Sequence, residues 1–121
     1  MTRRRRQVLV VDDDEMVRRL VRTVLEADDY EVLESSSGTH ALELLKSARP
    51  AVVVLDVMMP GIDGVETCRR LDHTEVKVVM LTARADPRLE AECKKAGADA
   101  FLTKPFSSLQ LLDVIGELVP A

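Results

Sequence analysis

Short, nearly uninterrupted apolar runs alternate with stretches whose apolar residues recur every three to four positions, and the alternation repeats five times along the 121 residues. The runs VLVV (8–11), AVVVL (51–55) and VKVVML (76–81) are of strand length and almost wholly apolar, as strands covered on both faces require. In YEVLES (30–35), Tyr30, Val32 and Glu34 share one phase, the pattern of a half-exposed strand. Residues 99–102 make a short last strand. Between the strands, Val17, Leu20, Val21, Val24 and Leu25 fall on one face of a first helix, with Arg18, Arg19 and Arg22 on the other. Gly38 opens a second helix that turns Ala41, Leu44, Leu45 and Ala48 inward. Arg49-Pro50 ends it, because a residue before proline is pushed out of the helical region. Pro60, Gly61 and Gly64 mark a loop, and Val65, Cys68 and Leu71 give a short third helix. Asp86-Pro87 predicts a cap and first position for a fourth helix, carrying Leu89, Cys93 and Ala96 and stopped by Gly97. The fifth presents Leu111, Leu112, Ile115, Leu118 and Val119, with Gly116 inside it at a cost of about 1 kcal/mol relative to alanine.

Strand and helix in strict alternation predict an α/β fold: a doubly wound, five-stranded parallel sheet with five helices. The most apolar strands, the first, third and fourth, belong at the centre and the second at an edge. With right-handed crossovers the strand order is then 2-1-3-4-5. The length suits one domain with an adequate core. Residues 1–6 are expected to form a basic N-terminal arm and 7–121 the folded domain.

Charge narrows the partners. The net charge is −4, but Arg3–Arg6 supply four of the 17 basic residues, so residues 7–121 carry 13 positive against 21 negative charges, or −8. An acidic body argues against nucleic acid as its direct ligand. The arginine arm reads as a solvated terminus, the alternative being contact with a phosphate-bearing surface or membrane. It is not an export signal, since only Val8–Val11 follow it before three aspartates. No stretch has the length and apolarity to span a bilayer. Cys68 and Cys93 lack any CxxC or histidine pattern, so they are expected to be free, half-buried thiols in a reducing cytoplasm.

The chemistry lies at the strand ends. Asp12 and Asp13 close the first strand, Asp56 the third and Thr82 the fourth, and Lys104 follows the fifth. In an open α/β sheet, ligands bind beyond the carboxyl ends of the strands where the order reverses, here between strands one and three. Three crowded carboxylates are costly to ionise without a cation, and Mg2+ suits them because it takes oxygen ligands and phosphate oxygens together. Lys104 offers a point charge and Thr82 a hydroxyl to a phosphoryl group. Asp56 as nucleophile would form an aspartyl phosphate. Each residue alone has a plainer reading: Asp12–Asp14 as a helix cap, Asp56 as a turn residue, Thr82 as part of a helix start, Lys104 as a surface charge.

Taken together, VLVVDDDE, VVVLDVMMPGIDG, VVMLTARAD and GADAFLTKPF resemble the receiver domain of two-component response regulators over residues 7–119, a CheY-like, flavodoxin-like fold. The resemblance implies Asp56 as phosphoacceptor, and Asp12 and Asp13 as the Mg2+-holding pair with Asp56 and the Met58 backbone carbonyl. It implies Lys104 as the phosphate-contacting lysine, before a cis bond to Pro105, and Thr82 and Phe101 as the switch pair. Met58 and Arg84 occupy positions that modulate water access to the phosphoryl group in similar domains. Phe101 stands where tyrosine is common and, lacking a hydroxyl, needs no polar partner when turned inward.

The implied partners are a sensor histidine kinase or a histidine phosphotransfer protein, and a downstream protein bound through the fourth helix, last strand and last helix. Residues 105–121 contain no lysine or arginine, only Asp113 and Glu117. A charge-paired dimer through the last helix is therefore not expected, and a monomer is. The chain reads either as a single-domain regulator or as a receiver cut from a longer protein. The alternative is a magnesium-dependent phosphohydrolase or phosphotransferase with an aspartate nucleophile. Such enzymes carry a second acid two residues after the nucleophile, where this chain has Met58. Without that general acid the receiver is expected to be a switch, with at most self-phosphorylation and autodephosphorylation. A flavin-binding role fails because the first strand leads into acids.

Overall fold

The apolar runs become strands in the computed structural model, which describes residues 6–119. The elements are β1 (Gln7–Val11), α1 (Glu15–Ala27), β2 (Glu31–Ser35), α2 (Gly38–Leu44), β3 (Val52–Asp56), α3 (Gly64–Arg69), β4 (Lys77–Thr82), α4 (Pro87–Lys95), β5 (Ala100–Thr103) and α5 (Ser108–Leu118). All neighbouring strands pair in parallel, in the order β2-β1-β3-β4-β5 that the burial argument predicts. β3 is buried along its whole length, and β1 and β4 at every position but the first, whereas β2 at the edge is mixed.

Because successive strand residues point to opposite faces, each central strand feeds two cores. Leu9, Val11, Val53, Leu55, Val78 and Met80 pack with Cys68 of α3 and Cys93 of α4. Val8, Val10, Val52, Val54, Val79 and Leu81 pack under α1 and α5 against Val21, Leu25, Leu111 and Ile115. Every helix begins at a side-chain cap: Asp14, Ser37, Asp63, Asp86 and Ser107 each accept a first-turn N–H, and Pro87 occupies the start of α4 as predicted. Each such cap is worth about 1 kcal/mol.

Several local expectations need correction. Leu20 is 52% exposed rather than inward, because Val17, Val21, Val24 and Leu25 fill the space under α1. Arg18 and Arg22 do not simply face water; both reach across to Glu34 on β2. α2 ends at Leu44, well before Arg49-Pro50, and residues 45–47 form a turn. The last strand is Ala100–Thr103, because Asp99 is spent outside it: its carboxylate accepts the Val78 N–H at 2.8 Å and its own N–H donates to the Val78 carbonyl.

Cys68 and Cys93 are free as expected, but fully buried instead of half-buried. Burial pushes their thiols up to about 12 and about 11 respectively, so neither is a ready nucleophile. Arg3–Arg5 lie outside the described residues, while Arg6 rests on the body, its guanidinium 4.2 Å from the Tyr30 ring centroid. Among the described residues no helix is long and apolar enough to cross a membrane.

Candidate phosphoryl site at the carboxyl edge of the sheet

Parallel pairing delivers the ends of β1, β3, β4 and β5 to one edge, and with them the five residues singled out from the sequence. Asp12 is completely buried and Asp56 nearly so, while Asp13 beside them is exposed. Among the described residues, Asp12, Asp13 and Asp56 offer carboxylate oxygens that all lie within 4.8 Å of one another. Lys104 closes the group, with Nζ 3.2 Å from Asp12 Oδ2 and 3.4 Å from Asp56 Oδ1. The capping reading of the acid run falls to Asp14 alone, whose side chain accepts the Met16 N–H. Asp12 and Asp13 are thereby left for the site.

The electrostatics follow from that crowding. Burial, reinforced by the charge of Asp12, pushes the Asp56 carboxyl up to about 6 even though Lys104 pulls the other way. Burial also works against the Lys104 ammonium, but the Asp12 and Asp56 carboxylates outweigh it and hold Lys104 above the ordinary lysine value. One lysine thus serves two buried acids, with a third beside them. That surplus of negative oxygen is what a hard divalent cation neutralises, and an all-oxygen donor set matches Mg2+.

Thr82 is buried at the end of β4, one residue beyond the pairing of Leu81 with Asp56, and its hydroxyl accepts the Arg84 N–H at 3.2 Å. Phe101 lies on β5 opposite Met80, half-buried against the interior, and lines a cavity of about 180 Å³ with Cys93 and Ala98. Met58 is 72% exposed, and Arg84 is exposed. Both line a groove with Thr82, Arg88 and Leu89. The Lys104–Pro105 peptide is cis.

Two residues of this edge escape sequence reasoning. Gly64 looks like one more loop glycine, yet a Cβ there would overlap the Asp56 carbonyl oxygen and sit 2.7 Å from Val57 Cα. The start of α3 therefore passes against the backbone of Asp56 itself, and the Gly64 N–H donates to the Val57 carbonyl at 2.9 Å. The available signal was Asp63-Gly64, a cap followed by a residue with no side chain. Arg18 is the second, since helical periodicity places it outside although its guanidinium donates to the Asp12 carbonyl at 2.7 Å.

The family model described as "Response regulator receiver domain" matches residues 8–116. The chain belongs to the response regulator receiver family. The receiver is 42% identical over 106 residues to the transcriptional regulatory protein CseB of Streptomyces coelicolor, covering 87% of this chain and 45% of that protein. It is 44% identical over 108 residues to the response regulator MprA of Mycolicibacterium vanbaalenii, covering 88% and 47%. It thus spans about half the length of the curated relatives it matches. Among solved structures, chemotaxis protein CheY4 of Vibrio cholerae superposes with a TM-score of 0.87 at 32% identity, covering 93% of this chain and 97% of that one. The BeF3-activated DrrB receiver domain superposes at 0.84 with 33% identity, covering 93% and 95%.

Proposed function

We propose that the receiver is a phosphorylation-dependent switch in which Asp56 accepts the phosphoryl group. The observation that carries this reading is the convergence of three carboxylates and Lys104 on one edge, with Lys104 Nζ within 3.4 Å of both buried acids. Asp12, Asp13, Asp56 and the Met58 carbonyl would hold Mg2+. When bound, the metal neutralises charge shared between the carboxylates and the phosphoryl oxygens.

An Asp56 carboxylate oxygen attacks phosphorus as the bond from phosphorus to the donor breaks. For a phosphohistidine donor the electron pair returns to the imidazole nitrogen; for an acyl phosphate it leaves on the carboxylate. Lys104 is placed to follow the transferred oxygens and Thr82 to donate its hydroxyl to one of them. The chain's own work is positioning and charge neutralisation. No second acid follows Asp56 within reach of a leaving group, since Val57 and Met58 occupy those positions. The product is therefore held as a state of the domain and not turned over by a built-in general acid.

The aspartyl phosphate adds nearly two negative charges and three acceptor oxygens beside Thr82. If Thr82 turns toward them, it gives up its bond to the Arg84 N–H and opens room for Phe101 to turn further inward. Driving such a two-state change from 1:99 to 99:1 requires the phosphoryl group to favour the active state by about 5.5 kcal/mol.

The reading surface is α4, β5 and α5. On α5 the exposed charges are Asp113 and Glu117, which suits a downstream protein presenting basic or apolar groups. The donor is a sensor histidine kinase, a histidine phosphotransfer protein or a small acyl phosphate. The name of CseB ties that relative to transcription, and on this reading the receiver would act on such an output through a protein surface, without touching nucleic acid itself. The test is intact mass after incubation with acetyl phosphate. A magnesium-dependent phosphoryl adduct on the wild type, absent from Asp56→Asn, is expected. An adduct that survives the substitution defeats the assignment.

A further inference from the structure

Arg18 is unusually sheltered for an arginine on the polar side of a helix, with its side chain only 16% exposed. Its guanidinium forks. Nη1 donates to the main-chain carbonyl of Asp12 at 2.7 Å, and Nε donates to Glu34 Oε1 on β2 at 3.1 Å. Asp12 lies one residue past the end of β1, and Arg18 is the only donor to its carbonyl among the described residues. Glu34 is held in turn by Arg22, whose Nη1 binds Glu34 Oε2 and whose Nη2 donates to the Val32 carbonyl at 3.0 Å. The Asp12 N–H donates to the Ser35 carbonyl at 3.1 Å. The edge strand therefore grips both sides of the Asp12 residue, directly through Ser35 and through the Arg18–Glu34 pair. The Asp12 carboxylate meanwhile takes the Asp14 N–H at 2.9 Å and the Lys104 ammonium at 3.2 Å.

We infer that Arg18 is a positioning residue for the acidic pair: buttressed by Glu34, it fixes the Asp12 peptide and so the aim of the Asp12 carboxylate into the site. The planar guanidinium suits this task because its donors have fixed directions and bind two acceptors at once, which an ammonium on a flexible stem does not reproduce. Arg22 makes a useful contrast, since it braces the same Glu34 without touching Asp12. The inference rests on the magnesium-binding reading above.

The test is calorimetric titration of Mg2+ into the metal-free wild type, Arg18→Met, Arg18→Lys and Arg22→Met, with urea stability measured alongside. Residues that orient a metal ligand typically change affinity by one to two orders of magnitude, and Arg18 acts through the ligand's backbone, so Arg18→Met is expected to bind about tenfold more weakly. Arg18→Lys is expected to be similarly weak despite keeping the charge. Arg22→Met is expected to lose stability but retain wild-type affinity. Wild-type affinity in Arg18→Met, full recovery in Arg18→Lys, or equal weakening in Arg22→Met would each overturn the positioning role. Failure of the wild type itself to bind Mg2+ would instead overturn the metal reading. In that case the 13C shift of the Asp12 carboxyl in the metal-free proteins decides: a change in Arg18→Met but not Arg22→Met supports positioning, and any other pattern overturns it.

Discussion

Asp56 is the residue at which burial and charge oppose each other most directly. Its carboxyl sits at about 6 in the folded, metal-free domain against an ordinary value of 3.8. The folded state therefore binds more protons than the unfolded state between those values, and stability from this group falls as pH rises through the window. The full penalty, roughly 3 kcal/mol at most, applies above pH 6. Asp56→Asn removes the charge while keeping the shape. In metal-free urea titrations well above pH 6 it is expected to be more stable than the wild type by ~1–3 kcal/mol, with the gap closing as pH falls toward 4. Equal or lower stability of the variant at the higher pH would show that Asp56 carries no such strain. Lys104→Met leaves both buried acids without their cation. Its adduct formation from acetyl phosphate is expected to slow roughly a hundredfold, the usual cost of one missing donor to a transferring group.

These five rim residues were legible in the sequence because each terminates an apolar strand, and parallel strands carry their ends to one edge. Arg18 was not. Periodicity reports the face on which a residue stands, whereas a long side chain can fold back along the helix and bury its head against a neighbouring strand.

Among the elements, the strand order was readable because burial leaves a signature: β1, β3 and β4 are buried almost throughout, whereas β2 mixes exposed and buried positions. Helix ends were harder, because a proline forbids continuation without requiring the helix to reach it. α2 stops at Leu44 although nothing in the sequence forbids another turn before Pro50. The close approaches of backbone were hidden for a related reason, since a glycine reports freedom and not what passes beside it.

Two glycines separate site from scaffold. A methyl group at Gly64 must push the start of α3 away from the Asp56 carbonyl. Gly64→Ala is expected to cost about 1–3 kcal/mol as overpacking and to slow adduct formation as well. Gly97, at φ +111 between α4 and β5, would set a Cβ 2.5 Å from the His73 ring. Gly97→Ala is expected to cost at least as much stability, yet to leave adduct formation at the wild-type rate under native conditions. Matching kinetic losses in both variants would mean that Gly64 acts only through global stability.

At the scale of the whole molecule, the two cores pin the sheet from both sides, while α4 buries only Cys93 within its span. The helix beside Phe101 is thus held by few fully buried apolar side chains, which would suit an element that repacks if Thr82 and Phe101 move. α5 shows Asp113 and Glu117 outward with no basic residue to pair with a second copy. Sedimentation velocity in acetyl phosphate and Mg2+ is expected to show a monomer, and a phosphorylation-induced dimer would contradict that reading of the surface.

The most direct test of the switch is a 1H–15N amide spectrum recorded as acetyl phosphate is added to the magnesium-loaded receiver. The expected result is a single phosphorylation-dependent transition. In it, amides next to Asp56, those of Thr82 and Arg84, and those of α4 and Phe101 change to the same extent, and none of them changes in Asp56→Asn. Changes confined to the neighbours of Asp56, with α4 and Phe101 unmoved, would contradict it.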